Sequence, residues 1–151
     1  MADDLSVAVE RLRTSTQRLN AICDTAAQVI RDAEAFLEEC QVGVETWVEV
    51  RRVDVTGDGH YDLTGLGYLR LGGKFRIAVV NEPHFSSGPE DCQVKAWAES
   101  SRDDKLDTLE KLPELLVELA KQVDARTVKA EQAMATVNSL LSLPKKRKGG
   151  E

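Results

Sequence analysis

Residues 3–41, DDLSVAVERLRTSTQRLNAICDTAAQVIRDAEAFLEECQ, decide the fold of this chain. Leu5, Leu12, Leu19, Ala26, Ala33 and Cys40 recur at every seventh position, and Ala8, Ile22, Val29 and Phe36 stand three places after members of that series. A seven-residue apolar repeat sustained this long predicts one helix over 3–41 that packs along its length. At ~1.5 Å per residue the rod is roughly 58 Å long. Asp3 and Asp4 suit its start, where backbone amides lack partners, and Gly43 is the expected stop. Small seam residues (Ala8, Ser15, Ala26, Ala33) allow close helix approach while burying less apolar area than leucine would.

The same pattern returns at the far end of the chain. Leu109, Leu116, Val123, Ala130 and Val137 repeat at the same interval, with Leu112, Leu119, Ala133 and Leu140 on the companion positions and Arg126 interrupting them. A helical segment over 102–143 follows, capped by Ser100 or Ser101 with Asp103 and Asp104 in its first turn. Pro113 either kinks this rod or opens a second helix after a short first one. If the rod continues, its length matches the first helix, and the two can close antiparallel with the sheet at one end.

Between the helices, residues 44–99 read as a β meander. Residues 44–54 alternate as a strand, Thr56-Gly57-Asp58-Gly59 is a turn, and 61–71 form a second strand. Gly72-Gly73 makes a tight hairpin into a third strand over 74–80; 81–91 reads as a loop and 92–99 as a fourth strand. The short connections leave no room for parallel crossovers. The expected architecture is α+β: a four-stranded antiparallel sheet flanked by two long heptad-patterned helices, with a coiled-coil stalk as their extension. Residues 1–143 make one domain and 144–151 a basic polar tail.

With 151 residues, 42% hydrophobic and 30% charged, this has the composition of an ordinary soluble protein. The net charge of −6 disfavours nonspecific nucleic-acid binding. The charge is uneven: the first 41 residues carry 8 acids and 4 bases, residues 102–151 carry 9 and 10. No secretory signal and no apolar run of ~20 residues is present, so neither export nor a membrane partner is expected. Three widely spaced cysteines, Cys23, Cys40 and Cys92, suit free thiols in a reducing compartment, and the cytoplasm is the expected location.

Alternation along the strands predicts one sheet face packed on the helices and another presenting Trp47, Tyr68 and Trp97 among Arg51, Arg70, Arg76 and Lys95. Trp, Tyr and Arg are the residues of protein-interface hot spots, and the same set can stack single-stranded nucleic acid. The plainer reading is that arginine stems and indole rings cover one another, or that a helix hides them. No RNP-type motif supports the nucleic-acid reading.

The stretch from Asp54 to Asp62 resembles calcium loops of the DxDxDG class, which implies oxygen ligands from Asp54, Thr56, Asp58 and Asp62 and a backbone carbonyl from His60. Position twelve is Gly65, where an EF-hand carries its bidentate Glu, and a hairpin turn of Asp and Gly accounts for the same residues. His60 and His84 stand at no zinc spacing, and no nucleophile elbow, Walker loop or dinucleotide fingerprint is present. No cofactor apart from that calcium ion is called for, and no catalytic motif is found. Lys145-Lys146-Arg147-Lys148 resembles a short nuclear-import signal; the plainer reading is a solvated tail.

Two resemblances arise. Gly43-Val44-Glu45-Thr46-Trp47-Val48, Leu66-Gly67-Tyr68, Gly73-Lys74-Phe75 and Leu112-Pro113-Glu114-Leu115-Leu116 look like segments of small uncharacterised bacterial proteins, which implies no particular activity. The order helix, two hairpins, helix is similar in layout to the α-type subunit of prefoldin, which implies a holdase with coiled-coil tentacles. The expectation from the residues themselves is a non-enzymatic protein-interaction or assembly module, working through its helices and the aromatic/basic sheet face. It expects a protein partner or self-association into a homo-oligomer. A prefoldin-like holdase and a single-stranded nucleic-acid binder are the alternatives.

Overall fold

A computed structural model describes residues 1–54, 57, 59–85, 88, 89 and 92–142. Helix α1 spans Ala2–Glu39. Its stop is not Gly43. Gln41 takes φ 55, a left-handed conformation, and the Val42 amide donates back to the Leu37 carbonyl at 3.1 Å. That hydrogen bond satisfies one of the carbonyls a helix end leaves open.

The strands are β1 (Thr46–Asp54), β2 (Tyr61–Leu71), β3 (Lys74–Phe85), the two-residue β4 (Gly88–Pro89) and β5 (Gln93–Ala96). All neighbours pair antiparallel: β1 on β2, β2 on β3, and both β4 and β5 on β3. The main sheet is therefore the expected four-stranded antiparallel meander, with β4 as a small addition. Gly72 and Gly73 join β2 to β3 with φ of 58° and 85°, the two positive values that a two-residue hairpin matched to strand twist requires. In β1 the register shifts between Glu49 and Arg51, so Val50 is the extra residue of a bulge.

The fourth strand ends earlier than its alternation suggested. After Ala96 the chain turns into a 3₁₀ segment, Trp97–Glu99, and then into α2 (Arg102–Leu109). The Ser101 hydroxyl accepts from the Asp104 amide at 3.2 Å and caps α2. A break at Glu110-Lys111 separates α2 from α3 (Leu112–Leu141), which carries Pro113 in its first turn, where the missing amide proton costs nothing. Of the two readings of Pro113, the second holds.

The helices cover one sheet face. Val48, Leu66, Tyr68, Ile77 and Val79 meet Ala26, Ile30 and Leu37 of α1 and Leu112, Leu115 and Leu119 of α3, with Trp97 among them. Each large apolar side chain buried here contributes about 1.5–3 kcal/mol. Side-chain carboxylates finish the sheet where strands run out. β5 ends opposite Ala78, and the next free amide of β3, that of Ile77, donates to Glu34 Oε1 of α1 at 3.0 Å. On the other side Glu45 takes the Arg70 amide at 2.9 Å.

Burial, helped by Glu38 and Glu34, pushes the Tyr68 phenol above its ordinary value of 10.0. The folded state thus holds that proton more tightly than the unfolded chain does. The associated stability is complete below about pH 10 and is lost as pH rises through the raised folded value. Melting curves from pH 8 to 11 should show an alkaline decline that Tyr68→Phe makes shallower; an identical decline in both proteins would contradict this placement.

Candidate functional site

Sheet register decides which side chains share a face, because paired residues point the same way. Leu66, Tyr68, Ile77 and Val79 define the helical face. On the opposite, outer face stand Trp47, Gly65, Gly67, Ala78 and Ala96, with Arg76 on the same strand face as Ala78. Trp47 is 38% exposed; its ring lies over Gly65 and its β-carbon over Gly67, the two places where β2 has no side chain to block it.

The expected aromatic/basic face is not assembled. Tyr68 and Trp97 are each 2% exposed and belong to the core. Tyr68 pairs with Ile77 and so falls on the helical face, and Arg70, two residues on, points the same way, 6.0 Å from the Phe75 ring. The bulge at Val50 turns Arg51 to that face as well, where it forks onto α2, meeting Asp104 at 2.7 Å and also Asp107. Lys95 is exposed but pairs with Val79, again the helical side. Only Trp47 and Arg76 share the outer face, and Arg76 leans to Glu34 at 3.9 Å. Trp97 follows the end of the strand in the 3₁₀ turn, on the same helical side as Lys95 two residues before it, and is buried there with Lys105 Nζ 5.5 Å from its ring centroid.

An outer-face cluster that alternation did not single out lies at the other end of the sheet. Tyr61 stacks on His84 at 4.6 Å, Arg52 sits 4.2 Å above Tyr61, Glu49 pairs with Arg52 at 3.0 Å, and a Glu82 carboxylate oxygen lies 3.2 Å from His84 Nε2. The pairing of β2 with β3 sets Tyr61 opposite His84, a juxtaposition readable only once the Gly72-Gly73 hairpin is used to count register back along both strands. On the helical face beyond α2, a cavity of about 410 Å³ is lined by Arg51, Asp62, Thr64, Asn81 and Gln93, and the Thr64 hydroxyl donates to Asn81 Oδ1 at 3.1 Å. It offers hydrogen-bonding groups, but its arginine is already committed to two aspartates.

Thr56 and Asp58 of the candidate calcium loop lie outside the described residues. Asp54 pairs with Tyr61 and Asp62 with Val53, so strand alternation sends the two carboxylates to opposite faces. Among the described residues no group of three His, Cys, Asp or Glu side chains is arranged to hold a metal. The basic tail also lies outside the described residues.

The helices hold the larger exposed feature. Arg102, at the start of α2, hydrogen-bonds Asn20, while Phe36 and Cys40 face Leu116 and Val123 across an apolar groove of about 330 Å³. The two helical runs therefore advance in the same sense and do not close antiparallel on each other. Residues 1–22 of α1 and 124–142 after the root of α3 are exposed throughout, and they leave the body from opposite ends. Their repeats stay uncovered: Leu5 is 67% exposed, Leu12 68%, Val137 52% and Leu140 64%. Even alongside the body, Ile22, Val29 and Phe36 remain open, because α1 packs through Ala26, Ile30 and Leu37 instead. Among the described residues no helix is long and apolar enough to cross a membrane.

No protein-family model, curated protein or solved structure matches the chain.

Proposed function

We propose that the protein is a non-enzymatic docking or assembly module that works through the uncovered heptad stripes of α1 and α3. The observation that carries this reading is the exposure of Leu5, Leu12, Val137 and Leu140 on arms beyond a body whose core is already complete without them. Leucine and valine on a water-facing helix surface gain by pairing with another apolar helix, and that gain grows with the area removed from water. The arms thus supply the coiled-coil element, with partners from outside the chain rather than from its own other end.

The test compares the wild-type chain with two arm variants, Leu12→Glu/Leu19→Glu and Val137→Glu/Leu140→Glu. Both substitute exposed positions, so circular dichroism and melting temperature should stay close to wild type. Self-association by sedimentation and proteins retained from nuclease-treated native lysate should both fall, with at least one variant losing most of the signal. A monomeric wild-type chain retaining nothing that the variants lose would sink the reading. Suppression of aggregation of an unrelated denatured client would instead favour a holdase, and retention lost on nuclease treatment would favour nucleic acid.

A further inference from the structure

With Leu5 placed at the first core position of the repeat, one flank of the α1 stripe reads Asp4, Arg11, Arg18, Thr25, Asp32 and Glu39. The other flank reads Val9, Thr16, Cys23, Ile30 and Leu37, without a charge. Beyond Asp4 the first flank is thus basic in the arm, at Arg11 and Arg18, and acidic alongside the body, at Asp32 and Glu39. Arg11, Arg18 and Glu39 are exposed and make no ion pair among the described residues, and Asp32 accepts only from Gln28 of its own helix.

We infer that α1 pairs antiparallel with α1 of a second copy of this chain, an occupant that deepens the docking reading above and rests on it. In a parallel pair each charged flank meets the neutral flank of its neighbour, and the charges find nothing. In an antiparallel pair charged flank meets charged flank. One register then sets Arg11 opposite Glu39 and Arg18 opposite Asp32, and two-fold symmetry repeats both pairs. The same register layers Leu12 on Phe36 and Leu19 on Val29 of the second copy, with the small pair Ser15 and Ala33 between them, at the two ends of a span of roughly 37 Å from residue 12 to residue 36; at its middle Ile22 meets the turn of α1 whose Ala26 is buried in the body. It carries Leu5 of the second copy past the end of α1, to the apolar groove between Phe36, Cys40, Val42 and Leu116. Apolar layers hold such a pair together, and the charges choose its direction.

Two variants test the direction. Arg11→Glu/Arg18→Glu makes the charged flank wholly acidic, and Asp32→Arg/Glu39→Arg turns its acidic end basic. By sedimentation the wild type should be a dimer, and each variant alone should dissociate on the order of a hundredfold more readily. An equimolar mixture should restore a one-to-one heterodimer, since each acidic flank then meets a basic one. That recovery also shows that both variants are folded. A monomeric wild type, variants as dimeric as wild type, or a mixture that fails to recover each overturns the pairing. A monomeric wild type whose captured partners are still lost on Leu12→Glu/Leu19→Glu overturns the pairing alone and leaves the docking reading standing.

Discussion

Replacing Trp97 with alanine should lower the unfolding free energy by about 3–5 kcal/mol, the usual cost of removing a large aromatic side chain from a packed core. The indole is 2% exposed and packs in the cluster that contains Ile30, Ile77 and Leu115. The alternation of the sequence suggests an outward Trp97, whose loss would weaken only binding; the β3–β5 register, which turns Lys95 to the helical face, turns Trp97 the same way. Urea denaturation separates the two: a loss below ~1 kcal/mol would show that Trp97 does not sit in the core between sheet and helices. Trp47→Ala is the matched control. That ring is 38% exposed and lies on the outer face, so its removal should cost clearly less.

The second large effect belongs to Gly65. A β-carbon there would stand 2.5 Å from Trp47 Cε3, closer than such contacts come, and 3.0 Å from the Val48 carbonyl oxygen, tight enough that the strand must give. The ring can swing away, but the backbone oxygen cannot move without disturbing the β1–β2 ladder. Gly65→Val should therefore cost about 3 kcal/mol, at the upper end of ordinary overpacking. Combining it with Trp47→Ala should recover part of that cost, leaving the share due to Val48. The two substitutions share a contact, so strict additivity in the double-mutant cycle would contradict the geometry.

Repeat spacing, the Gly72-Gly73 pair and the short connections were enough to read, in turn, α1 to within two residues at each end, the hairpin and the antiparallel order of the sheet. Local chemistry specifies each of these: an apolar period, two residues tolerant of positive φ, and connections too short for crossovers. Placement of side chains was less legible, because it hangs on one bulge and on the registers between strands. A bulge at Val50 flips Arg51, the β2–β3 register puts Tyr68 and Arg70 on the helical face, and the β3–β5 register turns both Lys95 and Trp97 the same way. None leaves a signature in composition, since each is imposed by packing against elements distant in sequence. The seams show the converse. Their period was plain, but not what they face: at Ile30 and Leu37 the body takes the positions beside the seam and leaves Val29 and Phe36 free.

The hydrogen bond from the Ile77 amide to Glu34 has a consequence for how the protein is made. An unpaired strand edge invites another chain to add to it, and newly made chains are crowded while their sheets are incomplete. Synthesis runs from the N-terminus, so the helix bearing Glu34 leaves the ribosome about forty residues ahead of Ile77. The guard is therefore in place before the edge it covers, and the strand that would be most open to a neighbouring nascent chain emerges with its terminating carboxylate already waiting.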